Sequence, residues 1–346
     1  MNDNGPTRNE IVRSIGLFVL TLVCVFWAYV RSHDVALDAA GAWSAAQFAC
    51  GLMSILLAHE MGHYLVARRH GFALSLPYFI PFPFFLGTFG AIIRLRSPPR
   101  TRTALLEMGA AGPICGFVVA VALMAIGLPQ DVPQTLDQVL ASVFSQLPAA
   151  AAPEHQLPAF LERALVAVAH VLERISPTPP NTFPLGIYHE PPVMDLVSWL
   201  SLDRLPGRYD TFSPLAEAGW FGCLLTAINL LPIGQLDGGH IANALSPKWA
   251  PKIVRPLIGV AFLAGLLVYP GWILWAILIL ALGAWTSLPV PESPGLTPRA
   301  RVVAVLAALT FGLCFVPQPI EIENVPIPDG IQAGPAESPV SAENPS

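Results

Sequence analysis

The chain has 346 residues, 54% of them apolar and only 12% charged, so it could bury a large core but has too few polar atoms to coat an ordinary soluble surface. Its net charge of -5 comes with no basic tract and no interleaving of aromatic and basic residues, which sets nucleic acid aside as a partner class. The five cysteines, Cys24, Cys50, Cys115, Cys223 and Cys314, all fall in apolar segments without CxxC spacing and read as small core residues, not as disulfides or metal ligands.

Apolar runs at about 14–30, 45–67, 105–128, 214–231, 255–269, 271–288 and 302–317 predict seven candidate membrane helices. The stretch Arg13–Val30 imitates a signal peptide but is followed by no clean small-residue cleavage site, so it is expected to be the first span. From Leu257 to Pro291 there is no Asp, Glu, Lys or Arg. As one helix that run would be roughly 52 Å long against about 30 Å of hydrocarbon, so it must fold back. Tyr269-Pro270-Gly271 supplies the turn. Between the second and third runs, Leu76–Arg96 is apolar but broken by Pro77, Pro81, Pro83, Gly87 and Gly90, which predicts a re-entrant or interfacial segment, partly extended.

These elements predict an all-α polytopic membrane protein with six to seven transmembrane helices and a short membrane-embedded β-hairpin or re-entrant segment. The expected organisation is an N-terminal segment with the first helix (1–44), the active-site helix, re-entrant segment and third helix (45–128), and an extracytoplasmic insert (129–213). A helix carrying a metal ligand (214–250), C-terminal transmembrane helices (251–318) and a disordered, acidic, proline-rich tail (319–346) follow. Within the insert, Pro158–Ile175 has the pattern of an amphipathic helix. With the N-terminus inside and sides alternating through seven spans, thirteen of the eighteen Lys and Arg fall inside and five outside. That asymmetry predicts a cytoplasmic N-terminus, because cytoplasmic loops carry the positive excess.

His59-Glu60-Met61-Gly62-His63 matches HExxH, whose histidines, four apart on a helix, project from one face and can bind one zinc ion while the glutamate acts as base. The motif lies in the second span, where two imidazoles and a carboxylate are costly unless they face partners. Nine residues separate His59 from Arg68, which puts the site about 13 Å below the cytoplasmic edge. A catalytic zinc needs a third protein ligand, yet no Asp or Glu occurs from Met61 to Leu106. Glu107 and Glu217 sit at predicted helix ends and read as solvated or capping. Asp237 stands in a stretch broken by Pro232 and Gly234, on the same side as His59 and His63, and is the leading candidate.

The segments HEMGH (59–63), GAAGPICG (109–116) and NLLPIGQLDGGH (229–240) together resemble, in order, the HExxH, GxxGP and NxxPxxxLDG motifs of the site-2 protease family of intramembrane zinc metalloproteases. The resemblance runs roughly from Ala45 to Leu245. It implies that His59, His63 and Asp237 bind one Zn2+ per chain and that Glu60 activates the water. It also implies a single-span membrane-protein substrate, such as an anti-sigma factor, in a bacterial-type inner or plasma membrane with the active site toward the cytoplasm. No PDZ-like pattern is present in the insert, a departure from relatives that carry such a module.

A peptide bond held in a helix is shielded, so a membrane substrate must be locally unwound and held extended. Gly90–Arg96 alternates Ile93 and Leu95 with Arg94 and Arg96 and is expected to pair with substrate as an added strand. Asn229 is a candidate to hydrogen-bond the substrate carbonyl. Gly109, Gly112 and Gly116 share a helix face and read as packing, while His70 and His240 read as solvated or as lying behind the ligands. The competing class is a zinc-binding membrane protein that does not cleave, a transporter or scaffold; a transporter would spread ionisable pairs over several spans, whereas here they gather at one site.

Overall fold

A computed structural model describes residues 6–84, 86–97, 99–146, 182–269, 271–281 and 295–326. It comprises two units, one of residues 1–133 and 190–319, the other of residues 134–189 and 320–346. In chain order the helices are α1 (Arg8–Ser32), α2 (Ala39–Arg69), α3 (Arg102–Gly127), α4 (Leu136–Gln146), α5 (Pro192–Leu202), α6 (Pro214–Asn229), α7 (Asp237–Leu245), α8 (Ala250–Leu267), α9 (Gly271–Ala281) and α10 (Pro298–Cys314). The strands are β1 (Tyr78–Pro81), β2 (Thr88–Ile92), β3 (Thr182–Tyr188) and β4 (Ile320–Pro326). The protein is therefore mostly helical with two small sheets, and α1, α2 and α3 with the turn that follows it are long and apolar enough to cross a membrane.

Each of the seven apolar runs has a helix among its described residues, but α6, α8, α9 and α10 have only 16, 18, 11 and 17 described residues. Helix starts follow the capping chemistry of the sequence. Thr7, Asp38, Thr101, Ser213 and Thr297 each accept the backbone N–H three residues on, satisfying groups that a helix start leaves open. Two apolar clusters flank the middle of α2. One joins α1, α2 and β1 through Val25, Tyr29, Phe48, Leu52 and Phe79; the other joins the end of α2 to α3, α7 and α10 through Ala67, Leu105, Ile241 and Ala307.

The predicted extended segment is a hairpin, with Tyr78 opposite Ile92, Phe79 opposite Ala91 and Pro81 opposite Thr88. Its second strand begins and ends earlier than the alternation of residues 90–96 suggests: Gly87, at positive φ, closes the turn through the Phe82 N–H and its own carbonyl, and Gly90, also at positive φ, falls where the register shifts between the Phe79–Ala91 and Pro81–Thr88 pairs. Gly87 also lies against Val25 of α1, where any side chain would collide. Beyond β2 the pairing resumes at Leu95, opposite Leu74, with the Ser75 N–H donating to the Arg94 carbonyl at 3.0 Å and the Arg96 N–H to the Ala73 carbonyl at 2.8 Å.

In the second unit, β3 pairs antiparallel with β4 along its whole length, from Thr182 opposite Pro326 to Tyr188 opposite Ile320. The tail expected to be disordered from 319 therefore begins with a strand. Its first residues alternate Ile320 and Ile322 with Glu321 and Glu323, a period-two pattern that the acidic, proline-rich composition of the rest obscures. The predicted amphipathic helix Pro158–Ile175 lies outside the described residues.

Two acids expected to be solvated are buried and paired. Glu107 accepts from His70 Nε2 at 2.9 Å, with Arg299 Nε 3.7 Å from its other oxygen, and so links α3 to the end of α2 and to α10. Glu217, in the first turn of α6, faces His33 Nε2 at 3.2 Å. Both stand toward helix ends, as predicted, but their side chains turn inward, Glu107 to His70 and Arg299 and Glu217 to His33.

Candidate metal centre

One turn of α2 separates His59 from His63, so both imidazoles leave the same face. His63 Nδ1 lies 2.8 Å from the Met108 carbonyl on α3. A neutral ring that donates there carries its lone pair on Nε2, which points at His59 Nε2, 3.1 Å away.

The third group arrives from a broken helix. α6 stops at Asn229, and residues 230–236 reverse the chain with Gly234 at φ 53°. α7 then starts with Asp237 in its first turn, where a negative charge is favoured by the helix dipole. Gly238 and Gly239 make the turn possible, since a Cβ on either would strike the carbonyls of Leu230 and Gly234. Arg102 of α3 fastens the far end of α7, its guanidinium donating to the carbonyls of Ala244 at 2.8 Å and Leu245 at 2.9 Å.

So placed, Asp237 Oδ2 is 3.2 Å from His59 Nε2 and Oδ1 is 3.3 Å from His63 Nε2. Among the described residues, His59, His63 and Asp237 form a group of side chains able to hold a metal ion. The donor set fits zinc. Bonds of about 2.0–2.1 Å in a tetrahedron separate ligand atoms by about 3.3 Å, and two imidazole nitrogens with one carboxylate oxygen are an ordinary catalytic set that leaves a fourth position open.

The glycines of α3 face this group, which the sequence reading assigned to packing alone. A Cβ at Gly112 would run into the His63 ring, one at Gly116 would sit 3.3 Å from His59 Cβ, and one at Gly109 would sit 3.1 Å from His240 Cβ. The small-residue stripe thus admits both metal-binding elements to one side of α3. Its signal was in the sequence, in the spacing of three and four, but not its target.

A cavity of about 410 Å³ opens beside the group. His59, Glu60, His63, Asp237, Asn229 and Ile93, the six residues singled out from sequence, all line it, together with Leu74, Leu95, Met108 and His240 among others. Glu60, Asn229 and Ile93 come from α2, the end of α6 and the stretch just past β2, so three separate elements surround the space next to the three ligand-type side chains. His240, expected to be solvated or to lie behind the ligands, lines the cavity with its Nδ1 buried and without a hydrogen-bond partner among the described residues.

Peptidase family M50 matches residues 47–268. "Probable zinc metalloprotease EGY1, chloroplastic" of Arabidopsis thaliana is 31% identical over 207 residues, covering 59% of this chain and 30% of that protein. "Probable zinc metalloprotease EGY2, chloroplastic" of Oryza sativa subsp. indica is 29% identical over 263 residues, covering 75% of this chain and 40% of that protein. The chain thus spans well under half the length of these relatives. No solved structure matches it.

Proposed function

As this chain belongs to Peptidase family M50, the site-2 protease family, we propose that it is an intramembrane zinc metalloprotease hydrolysing peptide bonds within or near the transmembrane segment of a membrane-protein substrate. The observation that carries this reading is the convergence of Asp237 with His59 and His63 at 3.1–3.3 Å, the two histidines and Glu60 standing on a helix long enough to cross a membrane.

His59 and His63 through Nε2, and Asp237 through its carboxylate, would hold the zinc. When bound, zinc acts as a Lewis acid and lowers the pKa of water to about 7. Glu60 takes the proton of the attacking water and passes it to the departing amide nitrogen, so one carboxyl serves as base and then as acid. The Asn229 amide, across the cavity, donates a hydrogen bond to the oxygen of the scissile carbonyl. The apolar walls formed by Leu74, Ile93, Leu95 and Met108 limit water around that proton path.

The substrate is a single-span membrane protein, such as an anti-sigma factor, unwound at the cut. β2 has no strand partner on its outer side among the described residues, and Ile92 beside the cavity is exposed. An extended substrate would add to that edge, main chain to main chain, with Ile93 against its side chains. Replacing Ile93 with proline should lower cleavage at least about tenfold, since proline removes a donor and fixes the backbone, while zinc content stays at that of the parent protein. Unaltered cleavage would exclude the edge as the substrate strand.

Six to seven spans, a cytoplasmic N-terminus and an active site toward the cytoplasm of a bacterial-type inner or plasma membrane complete the proposal, with residues 129–213 outside. The thirteen-to-five split of positive residues and the helices found at all seven apolar runs support it. The test of function compares membrane proteomes of cells carrying the parent protein and Glu60→Gln. Single-span proteins should accumulate as truncated stubs in the variant; identical proteomes, with the parent protein holding zinc, would favour a protein that binds metal without cleaving.

A further inference from the structure

Glu10 stands in the first turn of α1, yet its side chain is almost fully buried. Its Oε1 accepts two hydrogen bonds from opposite arms of the hairpin: from Arg96 Nη2 at 2.7 Å and from the Leu76 N–H at 3.3 Å. One turn further along α1, Ser14 Oγ donates to the Pro77 carbonyl at 2.7 Å. Leu76 and Pro77 lead into β1, and Arg96 trails β2. One carboxylate oxygen therefore closes the base of the hairpin. On the arm that ends at Arg96 lie Ile92, Ile93 and Leu95, which line the cavity beside Glu60.

Simple packing of α1 on the hairpin is already supplied by apolar contacts such as Phe18 edge-on to Phe79, ring centres 5.1 Å apart. A buried carboxylate adds direction and register, which apolar contact does not. Register matters here because side chains alternate along a strand, so a slip of one residue turns every side chain to the other face. α1 also lies outside the residues 47–268 that the family matches.

We propose that Glu10 is a positioning residue for the substrate: it fixes the hairpin base to α1, so that the edge of β2 presents an extended chain to Glu60 in a single register. This rests on the reading of β2 as the substrate edge. Backbone hydrogen bonds between residues 73–75 and 94–96 already hold the two arms to each other, so without the Glu10 carboxylate the joined arms can slide on α1, and the scissile bond is no longer confined to one position.

The full-length, zinc-loaded protein is assayed in detergent with β-casein, a disordered protein that needs no unwinding, and the product ends are read by mass spectrometry. Glu10→Gln should raise KM about tenfold while leaving kcat within about twofold, the pattern of lost binding without lost chemistry. Its product ends should spread over neighbouring bonds where the parent protein gives one. Arg96→Ala should do the same, and the double variant should be no worse than either single one, because both remove the same staple. Unchanged KM and product ends in Glu10→Gln overturn the inference and leave the substrate edge standing. If instead both variants lose zinc and melt about 10 °C lower, Glu10 serves folding and the inference also fails. Normal cleavage by Ile93→Pro removes the edge, and the positioning role with it; a zinc-bound parent protein that cuts nothing removes the protease reading itself.

Discussion

Gly112→Ala should cost the protein its zinc and at least about a hundredfold in cleavage, near or beyond the upper end of what disturbing a ligand's support usually costs. The added methyl would occupy the space of the His63 ring. The ring cannot move aside without giving up the Met108 carbonyl that orients it at 2.8 Å. α3 can withdraw only by giving up its close packing on α2, where the Gly62 backbone lies against the Ala111 carbonyl. Zinc measured by atomic emission on purified protein, with helix content followed by circular dichroism, separates loss of the metal from loss of the fold. Gly312→Ala, on α10 with open space around it, is the control and should keep both zinc and activity.

The second large effect is a contrast between two acids in one cavity. Asp237→Ala removes a carboxylate that stands 3.2–3.3 Å from both imidazoles, and zinc should fall to a small fraction of one per chain with activity lost. Glu60→Gln keeps the size of the side chain and leaves all three ligand-type groups in place. It should retain zinc yet lose about a thousandfold in rate, within the range ascribed to a general base. Loss of zinc in Glu60→Gln, or its retention in Asp237→Ala, would reverse the assigned roles. Zinc stoichiometry of the two variants, measured side by side with cleavage, gives the answer.

Much of this site is legible in the sequence because helical spacing is a local property. His59 and His63 must share a face of any helix that contains them, and the uncharged run after Leu257 must fold back in any membrane. Asp237 was reachable only by asking which acids remained once the residues from Met61 to Leu106 offered none. What could not be read was the partner of each residue. Nothing in a spacing of small residues says that Gly112 faces His63, or that a glutamate in the first turn of α1 staples residues 76 and 96. The β3–β4 pairing joins segments far apart in the chain, and the alternation of Ile320 and Ile322 is too short to stand out from the acidic tail. Glu107 and Glu217 were located correctly toward helix ends, but the inward turn of their side chains depends on His70 and His33, which cap the C-terminal ends of α2 and α1.

The central claim, that this centre cuts peptide bonds inside a membrane, is tested most directly by reconstituting the full chain in liposomes with a single-span protein recovered from the stub comparison and sequencing the product ends. The account predicts a cut within the apolar segment that disappears on zinc removal, returns with zinc and is absent in Glu60→Gln. A cut in the soluble flank, or one that persists in Glu60→Gln or after chelation, would contradict it.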